Sequence, residues 1–406
     1  MLRARKPVAA VMKVPFSPPD IRQEDIDAVV DVLRSGWITT GPVSRQFEAA
    51  LAAYMGVHQA VTVNSCTAAL ELALRALEVG PGDEVIVPAY TYTASAAVVE
   101  HVGAQVVLVD TAPGEYRPDI PTILAAVTER TKAVIVVDIA GVPFPADDLR
   151  AALEGSRPAG RLGVLEHMER PAVIVDGAHS LGAIRNGMRA GQLGDFTAFS
   201  FHAVKNLTTG EGGALCWRPD LEIDDDAATR LVRRLSLHGQ TKDALAKTQA
   251  GQWEYDIIER GYKSNMPDIL AALGLSQLGR YDEMLATRRA LIAGYADGLA
   301  GLAAVLPHSG DGFLSSAHLA MVDLGALAPR RQDIINHMAE AGISTNVHYK
   351  PLPLLTAYRP NFDIADFPNA NAQYLRELTL PLHTLLTDES LEYVIASFCE
   401  AVERAA

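Results

Sequence analysis

The sequence has few cysteines, no excess of positive charge and no long hydrophobic run. Its 406 residues include 3 cysteines, whose odd number and wide spacing give neither a disulfide framework nor a zinc-binding pattern. The net charge of −14 argues against nucleic acid or an anionic membrane surface as the main partner. No segment approaches the roughly 18 apolar residues of a membrane helix. We therefore expect a cytoplasmic protein that binds neither nucleic acid nor membrane and has no metal site.

Helical and strand-like patterns alternate along most of the chain. After a basic segment without the apolar core of a signal peptide, we predict a helix with Asp20 as a possible N-cap and Gly36 as its end, then a helix over about 43–54. Continuous runs such as "AVIVVD" are typical of strands buried on both faces, so we expect an α/β fold with a mainly parallel, seven-stranded sheet covered by helices. The strand candidates are 61–65, 84–88, 105–110, 133–138, 172–176, 196–201 and 213–217.

The order of patterns changes after about residue 255. One long helical region, 268–301, would lead into a smaller α/β unit whose elements are a strand at 319–324, a helix at 331–341, a strand at 344–349 and a helix at 388–405. We therefore divide the chain into a loose lead-in (1–14), a large domain (15–255), and a bridging helix with a small domain (256–406).

Polar residues stand where the predicted strands end, which is where open parallel sheets bind ligands. Asp176 ends "AVIVD", and Lys205 follows "FTAFSF" in a stretch whose pattern otherwise indicates core, although lysine is rarely buried without a partner. The "SCT" segment at 65–67 opens a helix whose first amides are free to hold a phosphate. Each residue alone also fits a cap, a turn or an exposed lysine; their combination and order indicate one site.

Three motifs, "IVDGAHSLGA", "SFHAVKNLTTGEGGAL" and "GYKSNMPDILAALGLSQL", resemble the DegT/DnrJ/EryC1/StrS family of sugar aminotransferases. These are pyridoxal-phosphate enzymes of fold type I. The resemblance runs from about Val14 to the C-terminus and includes "GWITTGPVSRQFE", "VNSCTAALELAL" and "GDEVIVPAYTYTASA". "SFHAVKNLTTGEGG" and "GYKSNM" are most similar to the branch that aminates 4-keto nucleotide sugars, which contains the aminoarabinose and perosamine synthases.

The resemblance implies a role for each residue of the site. Lys205 matches the lysine that binds pyridoxal phosphate covalently and moves protons between carbon atoms, and a desolvated lysine can serve as that base. Asp176 would pair with the protonated pyridine nitrogen, with His179 beside the ring and Tyr92 stacked on its face. The cofactor phosphate would be held by Ser65, Cys66, Thr67, Ser200 and, from the neighbouring subunit, Asn265. The role of Asn265 implies a homodimer with shared active sites.

The resemblance also implies the reaction, namely transfer of an amino group from L-glutamate to a nucleotide-linked keto-sugar. The similarity to the 4-keto branch indicates a sugar of the 4-keto-6-deoxy type. The product would be an amino sugar for polysaccharide, glycolipid or secondary-metabolite biosynthesis. Substrate contacts are assigned by position alone to His238, His348, Tyr349 and Lys350. Cys66 stands where glycine or alanine is common, and Pro353 where histidine is frequent.

Three alternative functions follow from the same resemblance. The chain could aminate a 3-keto-sugar or a keto-inositol by the same chemistry. It could be a sugar 3-dehydratase, although those relatives have histidine in place of the lysine that Lys205 matches. It could also be a regulatory protein that kept the fold, against which the presence of both Lys205 and Asp176 argues.

Overall fold

The computed structural model describes residues 12–156, 162–165, 167–242 and 254–405, and this part of the chain begins with two helices. The helix α1 spans Gln23–Ser35 and α2 spans Pro42–Met55. As predicted, α1 ends at Gly36, whose φ of 74° is a left-handed conformation that glycine adopts without a Cβ clash. The predicted N-cap at Asp20 is wrong, because the cap is Arg22, whose amide donates to the Asp25 carboxylate at 2.9 Å.

A 7-stranded sheet forms the centre of the molecule, in the order β1-β9-β8-β5-β4-β2-β3. Every neighbouring pair is parallel except those that involve β9, which runs antiparallel to both β1 and β8. The predicted mainly parallel seven-stranded sheet is therefore confirmed. Its strands are β1 (Ala60–Val63), β2 (Glu84–Pro88), β3 (Gln105–Val109), β4 (Thr131–Val137), β5 (Ala172–Asp176), β8 (Phe196–Ser200) and β9 (Gly213–Trp217).

Helices cover both faces of this sheet, because successive residues of its strands point to opposite sides. Along β2, Val85 and Val87 belong to one apolar cluster with α3, α4 and α7, whereas Ile86 belongs to another with α5 and α6. Both clusters are closed to solvent, which explains the continuous Val/Ile runs of the sequence. These helices are α3 (Cys66–Ala76), α4 (Ala94–His101), α5 (Ile120–Ala125), α6 (Ala146–Ala152) and α7 (Asp225–Ser236).

The C-terminal part has its own sheet and its own apolar core. Its antiparallel sheet has the order β10-β13-β14. A separate small sheet joins β6 and β7 to β11 and β12. The elements are β6 (Ile184–Arg185), β7 (Met188–Arg189), α8 (Asp268–Leu278), α9 (Tyr281–Gly298), β10 (Ala304–Val305), β11 (Ser309–Gly310), β12 (Phe313–Leu314), β13 (Ala320–Asp323), α10 (Arg331–Glu340), α11 (Pro368–Arg376), β14 (Glu377–Leu380) and α12 (Asp388–Ala405).

Two predictions for this part are wrong. The long helix over 268–301 is interrupted between α8 and α9, where Arg280 turns to form an ion pair with Asp25 at 2.6 Å. The predicted strand at 344–349 makes only an isolated bridge, Asn346 to Thr379, because β14 takes the place beside β13. The strand at 319–324 and the helices at 331–341 and 388–405 lie where the sequence predicted them, to within a residue or two.

The domain boundaries at residues 14 and 255 stay predictions. Val14, the last residue of the predicted lead-in, is buried and bridges to Ile343 in the C-terminal core. The second boundary lies close to residues 243–253, outside the described part of the chain. Within the described residues, no helix is both long and apolar enough to cross a membrane.

Candidate active site

A cavity of about 400 Å³ lies beyond the carboxyl ends of β5 and β8. Open α/β sheets bind their ligands at this edge, and the volume suits a small-molecule cofactor. Tyr349, which the sequence predicted as a substrate contact, contributes to the wall. Most of the predicted cofactor residues line the same cavity: Ser65, Cys66, Thr67, Tyr92, Asp176, His179, Ser200 and Lys205.

Asp176 is the last residue of β5 and is buried. One carboxylate oxygen, Oδ2, accepts a hydrogen bond from the Ser95 hydroxyl at 2.7 Å. The other, Oδ1, accepts the Ala178 amide at 3.2 Å and lies 3.6 Å from the Cys66 thiol. These neutral donors compensate for the loss of water around a buried carboxylate. A charged acceptor therefore faces the cavity.

Lys205 lies in the loop between β8 and β9, on the wall of the same cavity. Burial lowers the pKa of Lys205 to about 8, and the nearby charge of Asp176 opposes that shift. The loop that carries Lys205 is held in place by the residues that follow it. The Asn206 side chain donates to the Ser316 carbonyl at 2.8 Å, and the Thr208 amide donates to the Gln277 side chain at 3.0 Å. An amine with this pKa can exchange protons near neutral pH.

The start of α3 provides the anion-binding part of the cavity. The Ser65 hydroxyl caps this helix by accepting the Ala68 amide at 3.1 Å, so the amides of Cys66 and Thr67 in the first turn have no acceptor within the helix. Strand β9 passes directly behind them, because a Cβ atom on Gly213 would lie 2.4 Å from the Ser65 carbonyl carbon. Only glycine permits this approach, and it leaves the helix N-terminus facing the cavity.

His179 is held as a neutral ring. Burial and the charge of Lys205 lower the pKa of His179 well below its usual value. The Ala140 amide donates to Nδ1 at 3.2 Å, so the ring proton stands on Nε2, which donates to the Tyr349 hydroxyl at 3.1 Å. Burial also raises the pKa of Tyr349. Tyr349 thus keeps its own proton and can donate it into the cavity.

Tyr92 and Ser200 complete the cavity wall. Tyr92 is 61% exposed, and its ring centroid lies 5.8 Å from that of Tyr349. The Ser200 hydroxyl, at the end of β8, accepts the His202 amide at 3.3 Å. An exposed aromatic ring at the rim is free to stack on a planar ligand, as the resemblance implies for Tyr92.

The other predicted residues lie outside this cavity. The Asn265 side chain donates to the Thr40 hydroxyl at 2.5 Å and lines a separate pocket. His238 is exposed in a loop, with a φ of 60°, and Lys350 is exposed as well. His348 lines a smaller neighbouring space that Lys205 also lines, and burial lowers the pKa of His348 to about 3. Whether these residues contact a ligand stays a prediction.

Four residues around the cavity were not found from the sequence. Ser95 contacts Asp176 directly, and Thr91 contacts Ser95, with 2.9 Å between their hydroxyl oxygens. Both come after β2 in the chain, but Ser95 lies in the first turn of α4 and resembles an ordinary helix-start residue, so the strand-end rule does not single it out. Asn206 binds the ring of His318 at 2.9 Å, and that ring packs against His179 with centroids 4.4 Å apart. No local pattern marks His318, because only the fold brings it there.

Comparison with known proteins identifies the class to which this fold and site belong. The DegT/DnrJ/EryC1/StrS aminotransferase family matches residues 19–399, and the chain belongs to this family. The predicted family, fold type and aminotransferase class are confirmed, and with them the family's dependence on pyridoxal phosphate.

Individual relatives cover almost the whole chain. The spore coat polysaccharide biosynthesis protein SpsC of Bacillus subtilis is 38% identical over 97% of this chain and 98% of its own length. A structure of Spr1654 of Streptococcus pneumoniae, described as a sugar aminotransferase in its PMP form, is 47% identical, with a TM-score of 0.93 over 97% of this chain and 100% of its own. PseC of Helicobacter pylori, an aminotransferase of pseudoaminic acid biosynthesis, is 26% identical, with a TM-score of 0.85 over 97% of this chain and 100% of its own.

The residues around the cavity fit pyridoxal phosphate. Asp176 offers the carboxylate that a protonated pyridine nitrogen needs, and Lys205 offers an amine in the same cavity. The amides at the start of α3, with the Gly213 backbone behind them, form a cradle for a phosphate. Carboxylate, amine and anion cradle all belong to the described part of this single chain.

Proposed function

We propose that this sugar aminotransferase transfers the amino group of L-glutamate to the keto carbon of a nucleotide-linked sugar, of the 4-keto-6-deoxy type. The observation that carries the proposal is the meeting of Lys205 and Asp176 in one cavity beside an anion-binding helix N-terminus. The product would be an amino sugar for polysaccharide, glycolipid or secondary-metabolite biosynthesis. The names of SpsC and PseC, both proteins of sugar biosynthesis, support this class of product.

Each residue of the cavity has a task in this proposal. Bound pyridoxal phosphate supplies an electron sink that stabilises negative charge on the carbon being deprotonated. Lys205 takes the proton from the α-carbon of glutamate, and in the second half of the reaction it returns a proton to the sugar carbon. Asp176 accepts a hydrogen bond from the ring nitrogen and keeps it protonated. His179, as a neutral ring, orients the Tyr349 hydroxyl towards the reacting groups.

We also propose that the enzyme is a cytoplasmic homodimer. In the described chain, Asn265 lies away from the cavity, so its proposed contact with a cofactor phosphate requires a second subunit. The helix α1 supports such an assembly, because Ile26 and Leu33, which share one face of the helix, remain 47% and 51% exposed. An apolar patch of this kind on a helix is typical of a surface that another chain covers.

The reaction is tested in two steps on the full chain loaded with pyridoxal phosphate. L-glutamate should convert the visible absorption band of the bound cofactor to the near-ultraviolet band of pyridoxamine phosphate and release 2-oxoglutarate. Candidate 4-keto, 3-keto and keto-inositol substrates are then added separately, and only an acceptor restores the visible band. The proposal would be contradicted if glutamate left the visible band unchanged, or if none of the added acceptors restored it. Restoration by a 3-keto-sugar or a keto-inositol alone would favour the corresponding alternative.

A further inference from the structure

A chain of hydroxyl groups leads to the buried carboxylate of Asp176. The Ser95 hydroxyl lies 2.7 Å from Asp176 Oδ2 and 2.9 Å from the Thr91 hydroxyl, and both side chains are buried. A hydroxyl has one proton to donate, and a carboxylate can only accept. Ser95 therefore donates to Asp176, and Thr91 donates to Ser95. The direction of both hydrogen bonds is fixed by the charge of Asp176.

The position of Ser95 in α4 makes this contact unusual for a serine in the first turn of a helix. Such a serine generally bonds with the backbone at the helix start. Here the N-cap is Thr93, which makes no side-chain capping bond, and Ser95, the second residue of the helix, directs its hydroxyl to Asp176 instead. The sequence "TYTAS", which links β2 to the first turn of α4, thus brings the hydroxyl groups of Thr91 and Ser95 towards the end of β5.

The two oxygens of Asp176 have different surroundings. Oδ1 has the Ala178 amide and the Cys66 thiol, and burial raises the pKa of Cys66 so that it stays a thiol. That thiol also lies 3.4 Å from the Ala198 carbonyl, which is a competing acceptor. Oδ2 has the Ser95 hydroxyl at the shorter distance. Ser95 is consequently the stronger of the two side-chain donors to this carboxylate.

We propose that Ser95, supported by Thr91, is a positioning residue that fixes the orientation of the Asp176 carboxylate towards the pyridine nitrogen of the cofactor. The inference rests on the proposed role of Asp176. Without the Ser95 hydroxyl, Oδ2 would lose this donor, the carboxylate would no longer be held in one orientation, and its hydrogen bond with the ring nitrogen would weaken. Cofactor binding and proton transfer would both suffer, although Ser95 touches neither substrate nor cofactor.

Three variants of the full chain test this proposal: Ser95→Ala, Ser95→Thr, which keeps the hydroxyl, and Ser397→Ala, which removes a buried serine of α12 outside the cavity. For Ser95→Ala we expect the dissociation constant of pyridoxal phosphate to rise about 10-fold, and the visible band to change at a different pH. The glutamate half-reaction should slow by roughly 10- to 100-fold. Ser95→Thr should stay within about 3-fold of the unchanged protein, and Ser397→Ala should match it.

Two results would overturn the proposal. One is a Ser95→Ala variant that keeps both the cofactor affinity and the pH response of the band. The other is a Ser95→Thr variant as impaired as Ser95→Ala, with the same lowered melting temperature, which would indicate a packing role. Failure of the proposed function has a different signature, because the unchanged protein would then ignore glutamate. The affinity and the band would still test Ser95 in that case.

Discussion

Two buried carboxylates lie at opposite edges of the central sheet, one at the edge where its central parallel strands begin and the other where they end. The two are stabilised in different ways. Asp195 precedes β8 and accepts hydrogen bonds from Arg170 at 2.7 and 2.9 Å, Arg218 at 3.1 Å and the Val173 amide at 2.8 Å. Burial would raise the pKa of Asp195, but the hydrogen bonds and charge of Arg170 hold it below its usual value. Asp176, at the other edge, accepts from neutral donors, among them the Ser95 hydroxyl and the Ala178 amide, and shares its cavity with Lys205.

The comparison shows what separates a structural charge from a functional one in the same sheet. Asp195 is saturated by cations that belong to the fold, so it has no capacity for a ligand. The donors of Asp176 keep its charge buried but do not neutralise it. A cation brought by a cofactor can therefore complete its surroundings. The carboxyl edge of the sheet is where that difference is useful.

The largest effect that this contrast predicts is on activity, at Asp176. Asp176→Asn keeps the shape but removes the charge that would hold a protonated ring nitrogen, so the glutamate half-reaction should slow by roughly 10³-fold. Stopped-flow absorption measures that rate, with the melting temperature as the check on folding. An unimpaired variant would show that the charge of Asp176 does not serve the chemistry.

The matching change at the other edge should affect stability instead. Asp195→Asn leaves Arg170 and Arg218 without their buried counter-charge, and breaking such a pair costs about 3–5 kcal/mol. Urea unfolding should show that loss, while the half-reaction rate per folded molecule stays unchanged. A variant that is stable but slow would contradict the division of roles between the two carboxylates.

The two edges should also respond differently to pH. The pKa of Lys205 is lowered to about 8 in the folded protein, so between about pH 8 and its ordinary value of 10.5 the unfolded chain binds more protons than the folded one. Stability of the cofactor-free protein should therefore rise with pH in that window, by at most about 1.4 kcal/mol per pH unit. The lowered pKa of Asp195 stabilises the fold above the usual aspartate range, and this contribution is lost as pH falls.

Unfolding of the unchanged protein and of Lys205→Met, compared across both windows, separates the two contributions. The alkaline rise should be smaller in Lys205→Met, while the acid loss should persist in both proteins. An identical alkaline slope in the two proteins would mean that Lys205 titrates in the fold as it does in the unfolded chain.

The smallest expected effect concerns a hydrogen bond between uncharged side chains at the carboxyl edge of the sheet, where the cavity lies. Tyr349→Phe removes the partner of His179 Nε2 but no charge, so the glutamate half-reaction should slow by only about 3- to 10-fold. Tyr393→Phe is the matched control, because its hydroxyl bonds a carbonyl of the C-terminal unit at 2.8 Å. A loss as large as that of Asp176→Asn would show that the Tyr349 proton takes part in the chemistry itself.

Much of the large sheet could be predicted because its strands are marked by local pattern. The apolar runs that became β2 and β5 match their strands to the residue. The segment at 344–349 has strand-forming residues at alternate positions, Thr345, Val347 and Tyr349, but the place beside β13 is occupied by β14. At the break between α8 and α9, Arg280 pairs with Asp25, which is more than two hundred residues away in sequence. Neither outcome is visible in a local window.

The residues of the candidate site could likewise be predicted where a local pattern marks them, and not where only the fold brings them together. Residues at or close to the ends of strands, such as Asp176 and Ser65, could be selected because parallel strands end at one edge of the sheet. Ser95 and Thr91 come after β2 in the chain but resemble ordinary helix-start residues, so their contact with Asp176 emerged only from the packing of α4. His318 lies beside His179 through tertiary structure alone.

The most direct test of the account is to locate the covalent attachment of the cofactor. The full chain is saturated with pyridoxal phosphate, reduced with borohydride, digested and analysed by mass spectrometry, with Lys205→Ala treated in parallel. We predict that the phosphopyridoxyl group is found on Lys205 in the unchanged protein. The same peptide of the variant should carry no such group. A group attached to another lysine, with Lys205 unmodified, would contradict the assignment of this cavity as the active site.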